Sequence, residues 1–122
     1  MMAVLQLDKN NFKQTIENNP FVIVDFWAPW CEPCMSFGET FQSVSEQHAN
    51  IVFGLVNIDE DPEISNYFNV KQIPAVLAIR DQVVVDAQVG DMTAPEFEKT
   101  IKVWGDFDLS EVNRHFDEKA AV

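Results

Sequence analysis

Hydrophobic and polar positions follow two different patterns near the start of the chain. Phe12 and Ile16 lie four residues apart among polar neighbours, which predicts a short amphipathic helix that begins at Asp8 or Asn10. The segment PFVIVDFWA, residues 20 to 28, is instead apolar at nearly every position. Such a run is typical of a central strand buried on both faces, so we expect a sheet with helices on both sides.

The next apolar stripe predicts a longer helix. Phe37, Phe41 and Val44 recur at spacings of four and three, and His48 extends the same stripe. A pair of cysteines falls in the first turn of this predicted helix. The segment IVFGLVNI, residues 51 to 58, then predicts a second buried strand.

A third helix is predicted in the segment DEDPEISNYFN. Asp61 is placed to cap its start, because an aspartate side chain can accept a hydrogen bond from the first free amides. Asn69 is placed to end it, because asparagine tolerates the left-handed conformation. The spacing predicts a buried face made of Ile64, Tyr67 and Phe68.

The last third of the chain predicts a hairpin and a helix. Two apolar runs flank Asp81 and Gln82, a spacing that indicates a two-residue β-turn, although this dipeptide is a poor type I′ turn sequence. Thr93 followed by Glu96 is a capping box, which marks a helix start. The apolar stripe of that helix consists of Phe97, Ile101 and Trp104.

The predicted order is α, β, α, β, α, β, β, α. Parallel units followed by a terminal hairpin describe an α/β fold with a mixed central sheet between helices. We place this domain at residues 1–105. Residues 106–122 form a C-terminal extension, and Leu109, Val112 and Phe116 lie in it at the spacing of a helix.

Composition supports one globular domain and excludes some partners. The 122 residues are 47% hydrophobic and 23% charged, and 8 basic against 20 acidic side chains give a net charge of -12. These acids are dispersed along the chain, and such a field repels nucleic acid and anionic membranes. The N-terminal stretch lacks the basic and apolar regions of an export signal. We therefore expect a cytoplasmic protein.

The chain contains two cysteines, in the segment WCEPC. A closed zinc site needs four ligands, but His48 and His115 do not lie at ligand spacing from Cys31 and Cys34. A purely structural disulfide would close so small a loop that it would gain little chain entropy. The remaining interpretation is thiol–disulfide exchange. A helix N-terminus favours the thiolate of the first cysteine, and the second thiol beneath it can attack a mixed disulfide.

Four separated motifs then resemble the thioredoxin family. They are VDFWAP with WCEPC, VNIDEDPEI, QIPAV and Gly90. They follow one another in the order and at the spacings of that family, over roughly residues 4 to 105. The resemblance implies a thioredoxin-like fold and a thiol-disulfide oxidoreductase that reduces protein disulfides.

The resemblance also implies roles for residues at the cysteine pair. Cys31 matches the nucleophile that attacks a client disulfide, and Cys34 matches the resolving thiol. Asp25 matches a buried acid that exchanges a proton with the second cysteine. Independently of the family, strand alternation places Asp25 on the same face as Ile23, where desolvation is expected to raise its pKa.

Other matching positions are implied to present the substrate. Pro74 resembles the family's cis-proline, which faces the disulfide. Trp30, Ile73 and Gly90 match the shallow apolar surface on which clients dock. Trp27 is expected to pack beneath the site rather than to contact clients.

Several positions depart from the common family pattern. Glu32 replaces a common glycine, and we expect Glu32 and Pro33, which lie between the cysteines, to tune the redox properties. The Glu32 carboxylate opposes the Cys31 thiolate and the helix terminus favours it, by free energies of overlapping size. Met35 and Leu55 replace lysines that are common in relatives. Glu39 replaces a helix-kinking proline, so this helix is expected to run straighter.

The expected partners are protein disulfide substrates and a thioredoxin reductase or other dithiol donor. We expect no metal and no cofactor beyond the Cys31–Cys34 disulfide, and a monomer. The alternative is an interaction or holdase module that uses the same fold without redox turnover. Loss of both cysteines would leave the activity of such a module unchanged.

Overall fold

A computed structural model of the chain describes residues 4–109. The helices and strands are β1 (Val4–Gln6), α1 (Phe12–Asn18), β2 (Phe21–Trp27), α2 (Glu32–Ser45), β3 (Val52–Asn57), α3 (Pro62–Tyr67), β4 (Ala75–Arg80), β5 (Val83–Val89) and α4 (Ala94–Asp106). They form one five-stranded sheet in the order β1-β3-β2-β4-β5. The mixed sheet with helices on both faces confirms the fold class predicted from the sequence.

Strand β2 is the centre of the sheet. It pairs in parallel with β3 and antiparallel with β4. Residues Val22 to Phe26 are all inaccessible to solvent. This burial explains the continuous apolar run in the sequence, since a strand covered on both faces has no position for an exposed polar side chain.

Each face of the sheet carries its own hydrophobic cluster. On one face α2 and α4 contribute buried side chains that pack against Ile23 and Phe53. On the other face α3 buries Ile64, and α1 adds Phe12 at its edge. The two helix pairs therefore hold β2 between them, and the end of β2 is fixed at the point where α2 begins.

The hairpin and the last helix agree with the sequence prediction. Asp81 and Gln82 connect β4 to β5 with φ values of 49° and 69°, and positive φ at both central residues is what a type I′ turn requires. Thr93 and Glu96 form both hydrogen bonds of the capping box at the start of α4. That helix buries the predicted residues Phe97, Ile101 and Trp104.

Three helix predictions were wrong in detail. Helix α2 ends at Ser45, so His48 lies beyond it and instead contacts Glu98 at 3.0 Å. Tyr67 was expected in the buried face of α3 but is 83% exposed, and this face of α3 buries Ile64 instead. Helix α1 begins at Phe12, later than Asp8 or Asn10.

The role of Asp61 also differs from the prediction. It occupies the N-cap position of α3, but its side chain makes no capping hydrogen bond. Its Oδ1 accepts a hydrogen bond from the backbone amide of Lys9 at 3.2 Å instead. Asp61 therefore connects α3 to the segment that follows β1.

Strand β1 was not predicted. Only three residues long, it lies at the sheet edge, where Leu5 pairs with Gly54. One buried residue is followed by two exposed ones. The strand therefore lacks the alternation of apolar and polar residues from which a strand is predicted. The predicted helical stripe of the C-terminal extension includes Val112 and Phe116, which lie outside the described residues.

Close packing of β1 against β3 yields a prediction about Gly54. A Cβ atom there would overlap Leu7 Cδ1 and lie 2.7 Å from Leu7 Cγ, and Leu7 is itself buried. We expect Gly54→Ala to lower the free energy of unfolding by about 1–3 kcal/mol. Urea unfolding of the oxidised protein measures this change.

Gly38→Ala is the matched control. No atom lies within 4 Å of a Cβ built at Gly38, which is inside α2, so the same substitution should stabilise the protein by roughly 0.5–1 kcal/mol. Equal effects of the two substitutions would show that contact with Leu7 does not constrain position 54.

Candidate active site

The cysteine pair lies where the central strand passes into a helix. Strand β2 ends at Trp27, and the amide of Cys31 donates to the carbonyl of Ala28 at 3.2 Å, which closes a tight turn. Helix α2 starts at the next residue, Glu32. The buried sheet therefore fixes the position of Cys31 at the N-cap of α2.

Cys31 caps the helix with its sulfur. The backbone amide of Cys34 donates a hydrogen bond to Cys31 Sγ with an N···S distance of 3.3 Å. The two cysteines form a disulfide, and their Cα atoms are 5.2 Å apart. Cys31 retains 6% of its surface exposed and Cys34 only 2%. Both residues are buried, and Cys31 is the slightly more exposed of the two.

This position favours negative charge on Cys31 after reduction. The first amides of a helix have no partner within the helix, and the helix dipole adds partial positive charge at the same end. The Cys34 amide is already directed at the Cys31 sulfur. Pro33, in the first turn, has no amide hydrogen to leave unpaired. Exposed Glu32 is the acidic residue of this turn.

The segment before β4 contacts the disulfide, and the residue after β5 is hydrogen-bonded to that segment. Cys31 Sγ lies 3.9 Å from the carbonyl oxygen of Ile73, and the Ile73–Pro74 peptide bond is cis, as the resemblance implied. The amide of Gly90 donates to the carbonyl of Pro74 at 2.8 Å. Gly90 has a φ of 105°, a conformation that glycine adopts without strain.

Trp30 is the most exposed apolar side chain beside the disulfide, with 66% of its surface accessible. Its indole Nε1 donates to Asp59 Oδ2 at 3.0 Å. Asp59 was not among the predicted site residues, although it lies within the motif VNIDEDPEI. No local pattern could identify it, because the contact joins segments 29 residues apart.

Asp25 is buried in the sheet with neither carboxylate oxygen hydrogen-bonded. Its neighbours in the sheet register are apolar, Leu55 on β3 and Val76 on β4. Desolvation by burial raises the pKa of Asp25 well above its usual value, as the sequence analysis expected. Trp27 at the end of the same strand is half-buried, and its indole nitrogen is also without a partner.

The two grooves described for residues 4–109 lie away from the disulfide. Their volumes are about 700 and 860 Å³, and neither is lined by Cys31, Trp30 or Pro74. Within residues 4–109 no three His, Cys, Asp or Glu side chains are grouped so that they could hold a metal ion. No helix in that range is long and apolar enough to cross a membrane.

Comparison with known proteins identifies the family. The family profile described as Thioredoxin matches residues 3–103. A Streptomyces coelicolor protein named "Putative thioredoxin 2" is 36% identical over 121 residues, which cover 99% of this chain and 90% of that protein. The thioredoxin of Chlorobaculum thiosulfatiphilum is 34% identical over 68% of this chain and 78% of its own length.

A solved structure shows the same relationship. The thioredoxin of Malassezia sympodialis superposes with a TM-score of 0.76 and 25% identity, covering 84% of this chain and 90% of that one. The shared fold, the family profile and the Cys31–Cys34 disulfide all indicate the same family. The chain belongs to the thioredoxin family and is a thiol-disulfide oxidoreductase that acts on protein disulfides.

Proposed function

We propose that the chain reduces protein disulfides with Cys31 as the nucleophile and Cys34 as the resolving thiol. The observation that carries this assignment is the position of Cys31 Sγ, at the N-terminus of α2 and within hydrogen-bond reach of the Cys34 amide. Nucleophilic attack needs a thiolate, and a helix N-terminus stabilises one. Cys34 is deeper by burial and close enough to displace the client.

The proposed reaction has two exchange steps. The Cys31 thiolate attacks one sulfur of the client disulfide, so a Cys31–client bond forms, the client S–S bond breaks, and the released client thiolate takes up a proton. Cys34 then gives up its proton and attacks Cys31 Sγ, which forms the Cys31–Cys34 bond and releases the second client thiolate. The client gains the two electrons that the protein loses. The protein gives up one proton, from Cys34, because Cys31 reacts as the thiolate, and the solvent supplies the second proton that converts both client thiolates to thiols.

Asp25 is the group we propose as the proton exchanger for Cys34. Its carboxylate is buried and has no hydrogen-bond partner, and burial raises its pKa. A raised pKa brings a carboxylate closer to the range in which it can both accept and donate a proton near neutral pH. Leu55 beside it supplies no cation that would lower that pKa.

The docking surface is proposed to consist of Trp30, Ile73, Pro74 and Gly90, with Glu32 and Pro33 tuning the sulfur chemistry. All of these residues come from one chain, so the site is complete in a monomer. Trp30, with 66% of its surface exposed, is accessible for contact with a polypeptide client. Nothing in the fold or in the comparisons favours the alternative of an interaction module without redox turnover.

The cycle requires a donor that returns two electrons to the disulfide. We propose a thioredoxin reductase or another dithiol donor, because the relatives are thioredoxins. A protein that must be kept reduced suits the cytoplasm, where thiol systems maintain reducing conditions. The chain would then carry electrons between that donor and its clients.

Cysteine variants test the two assigned roles. With insulin as client and dithiothreitol as donor, Cys31→Ser should reduce turnover to the rate of the protein-free blank, because serine is not ionised near neutral pH. Reduced Cys34→Ser, mixed with insulin after removal of dithiothreitol, should instead accumulate a covalent adduct of client and Cys31, which mass spectrometry detects. Full turnover by Cys31→Ser, or normal turnover without an adduct by Cys34→Ser, would contradict the assignment.

Burial of Asp25 predicts a pH-dependent gain in stability for Asp25→Asn. Folding raises the pKa of Asp25. The wild-type protein therefore has its full stability below the unfolded-state pKa, where Asp25 is protonated, and it loses stability as pH rises through the folded-state pKa. The variant should therefore gain about 1–3 kcal/mol in free energy of unfolding at about pH 8. It should gain little at about pH 4.

Urea unfolding of the oxidised protein at both pH values measures this difference. Asp91→Asn is the control, since Asp91 is an exposed residue and its replacement removes the same charge. An Asp25→Asn gain of equal size at both pH values, or no gain at about pH 8, would show that Asp25 is not destabilised by ionisation in the folded protein.

A further inference from the structure

The surface around the disulfide has an apolar centre with an aromatic side chain held in place. Trp30 is 66% and Met35 51% exposed, and both flank the cysteine pair in the sequence. The hydrogen bond from Trp30 Nε1 to Asp59 Oδ2 fixes the indole by its edge. Its face is therefore available for stacking, and a tryptophan face is the best aromatic partner for a cation.

Three carboxylates lie on, or are hydrogen-bonded to, the segments that form the docking surface. Glu32 follows Cys31 directly at the start of α2, and Asp59 lies at hydrogen-bond distance from the Trp30 indole. Asp91 follows Gly90, whose amide is bonded to the carbonyl of Pro74. All three acidic side chains are exposed. We call Glu32, Asp59 and Asp91 the acidic rim.

The acidic rim has no ion-pair partner within the described residues. In residues 4–109 the ion pairs are His48–Glu98 and Lys102–Asp106, which are separate from the rim. Lys71, two residues before Ile73, is the nearest basic residue in the sequence to the docking segments. Because these carboxylates have no ion-pair partner in the described residues, they can pair with a cation on another molecule. Opposite charges at contact distance attract each other even at high dielectric.

We propose that the acidic rim selects clients with an arginine or lysine close to the disulfide, and that Glu32 and Asp59 are the specificity-determining residues. The cationic side chain packs on the face of the Trp30 indole and pairs with the rim carboxylates. Arginine is favoured over lysine, because its planar guanidinium both stacks on aromatic rings and binds carboxylates through two hydrogen bonds. This inference rests on the proposed reduction of client disulfides.

The test compares peptides with one intramolecular disulfide that differ at a single flanking residue. That residue is arginine, citrulline or glutamate, and citrulline keeps the shape of arginine without its charge. The reduced protein is mixed with each peptide, and chromatography measures the rate at which peptide thiols appear. We expect the arginine peptide to react roughly three- to tenfold faster than the citrulline peptide at about 20 mM salt. The ratio should fall below about twofold at about 500 mM salt.

Variants locate the source of the selectivity. Glu32→Gln and Asp59→Asn should each lower the ratio of the arginine-peptide rate to the citrulline-peptide rate. A change in the reactivity of Cys31 does not alter this ratio, because both peptides react with the same sulfur. Glu46→Gln removes the same charge at the other end of α2, roughly 21 Å away at the rise of an α-helix. This control should leave the ratio unchanged.

A neutral disulfide separates failure of this inference from failure of the proposed function. Equal rates for the arginine and citrulline peptides, with normal reduction of 2-hydroxyethyl disulfide, would overturn the selectivity and leave the reductase activity standing. Loss of selectivity in Glu46→Gln to the same degree as in Glu32→Gln would overturn the assignment to the rim. Failure to reduce both 2-hydroxyethyl disulfide and insulin would overturn both proposals.

Discussion

The hydrogen bond from the Cys34 amide to Cys31 Sγ is the contact on which the chemistry of this molecule depends. It exists because β2 is buried on both faces and ends where α2 must begin. With the strand held by β3 and β4, the first turn of the helix has little freedom to move relative to the sheet. A sulfur in that position meets unpaired amides and the positive end of the helix dipole, so the fold itself supplies the stabilisation that a thiolate needs.

Burial of Asp25 works against stability at the centre of the same sheet. Its carboxylate has no hydrogen bond and is flanked in register by Leu55 and Val76. A hydrophobic residue would satisfy this position better, because an unpaired polar group in the interior costs free energy. The surrounding apolar clusters offset that cost, and they also keep the pKa of the acid raised. Stability and the proposed proton exchange thus make opposite demands on this residue.

Much of the architecture was predictable, because the central strand, the hairpin and α4 are determined by local patterns. Continuous hydrophobicity predicted β2, and the capping box of Thr93 and Glu96 predicted the start of α4. Residues whose positions depend on distant partners were not predictable: β1 is defined by its pairing with β3, and Asp59 by its contact with Trp30. His48 continued a helical stripe in the sequence, yet its position is set by Glu98 on another helix. The cysteine pair was predictable, whereas the cis bond at Pro74 followed from family resemblance alone.

Alkylation of the reduced protein tests the central claim most directly. A free cysteine is only a few per cent thiolate at about pH 7, so a sulfur stabilised by the start of α2 should react with iodoacetamide roughly tenfold faster than free cysteine. Mass spectrometry of partly modified protein should find the label on Cys31, with Cys34 protected by its burial. Equal labelling of the two cysteines at the rate of free cysteine would contradict the account.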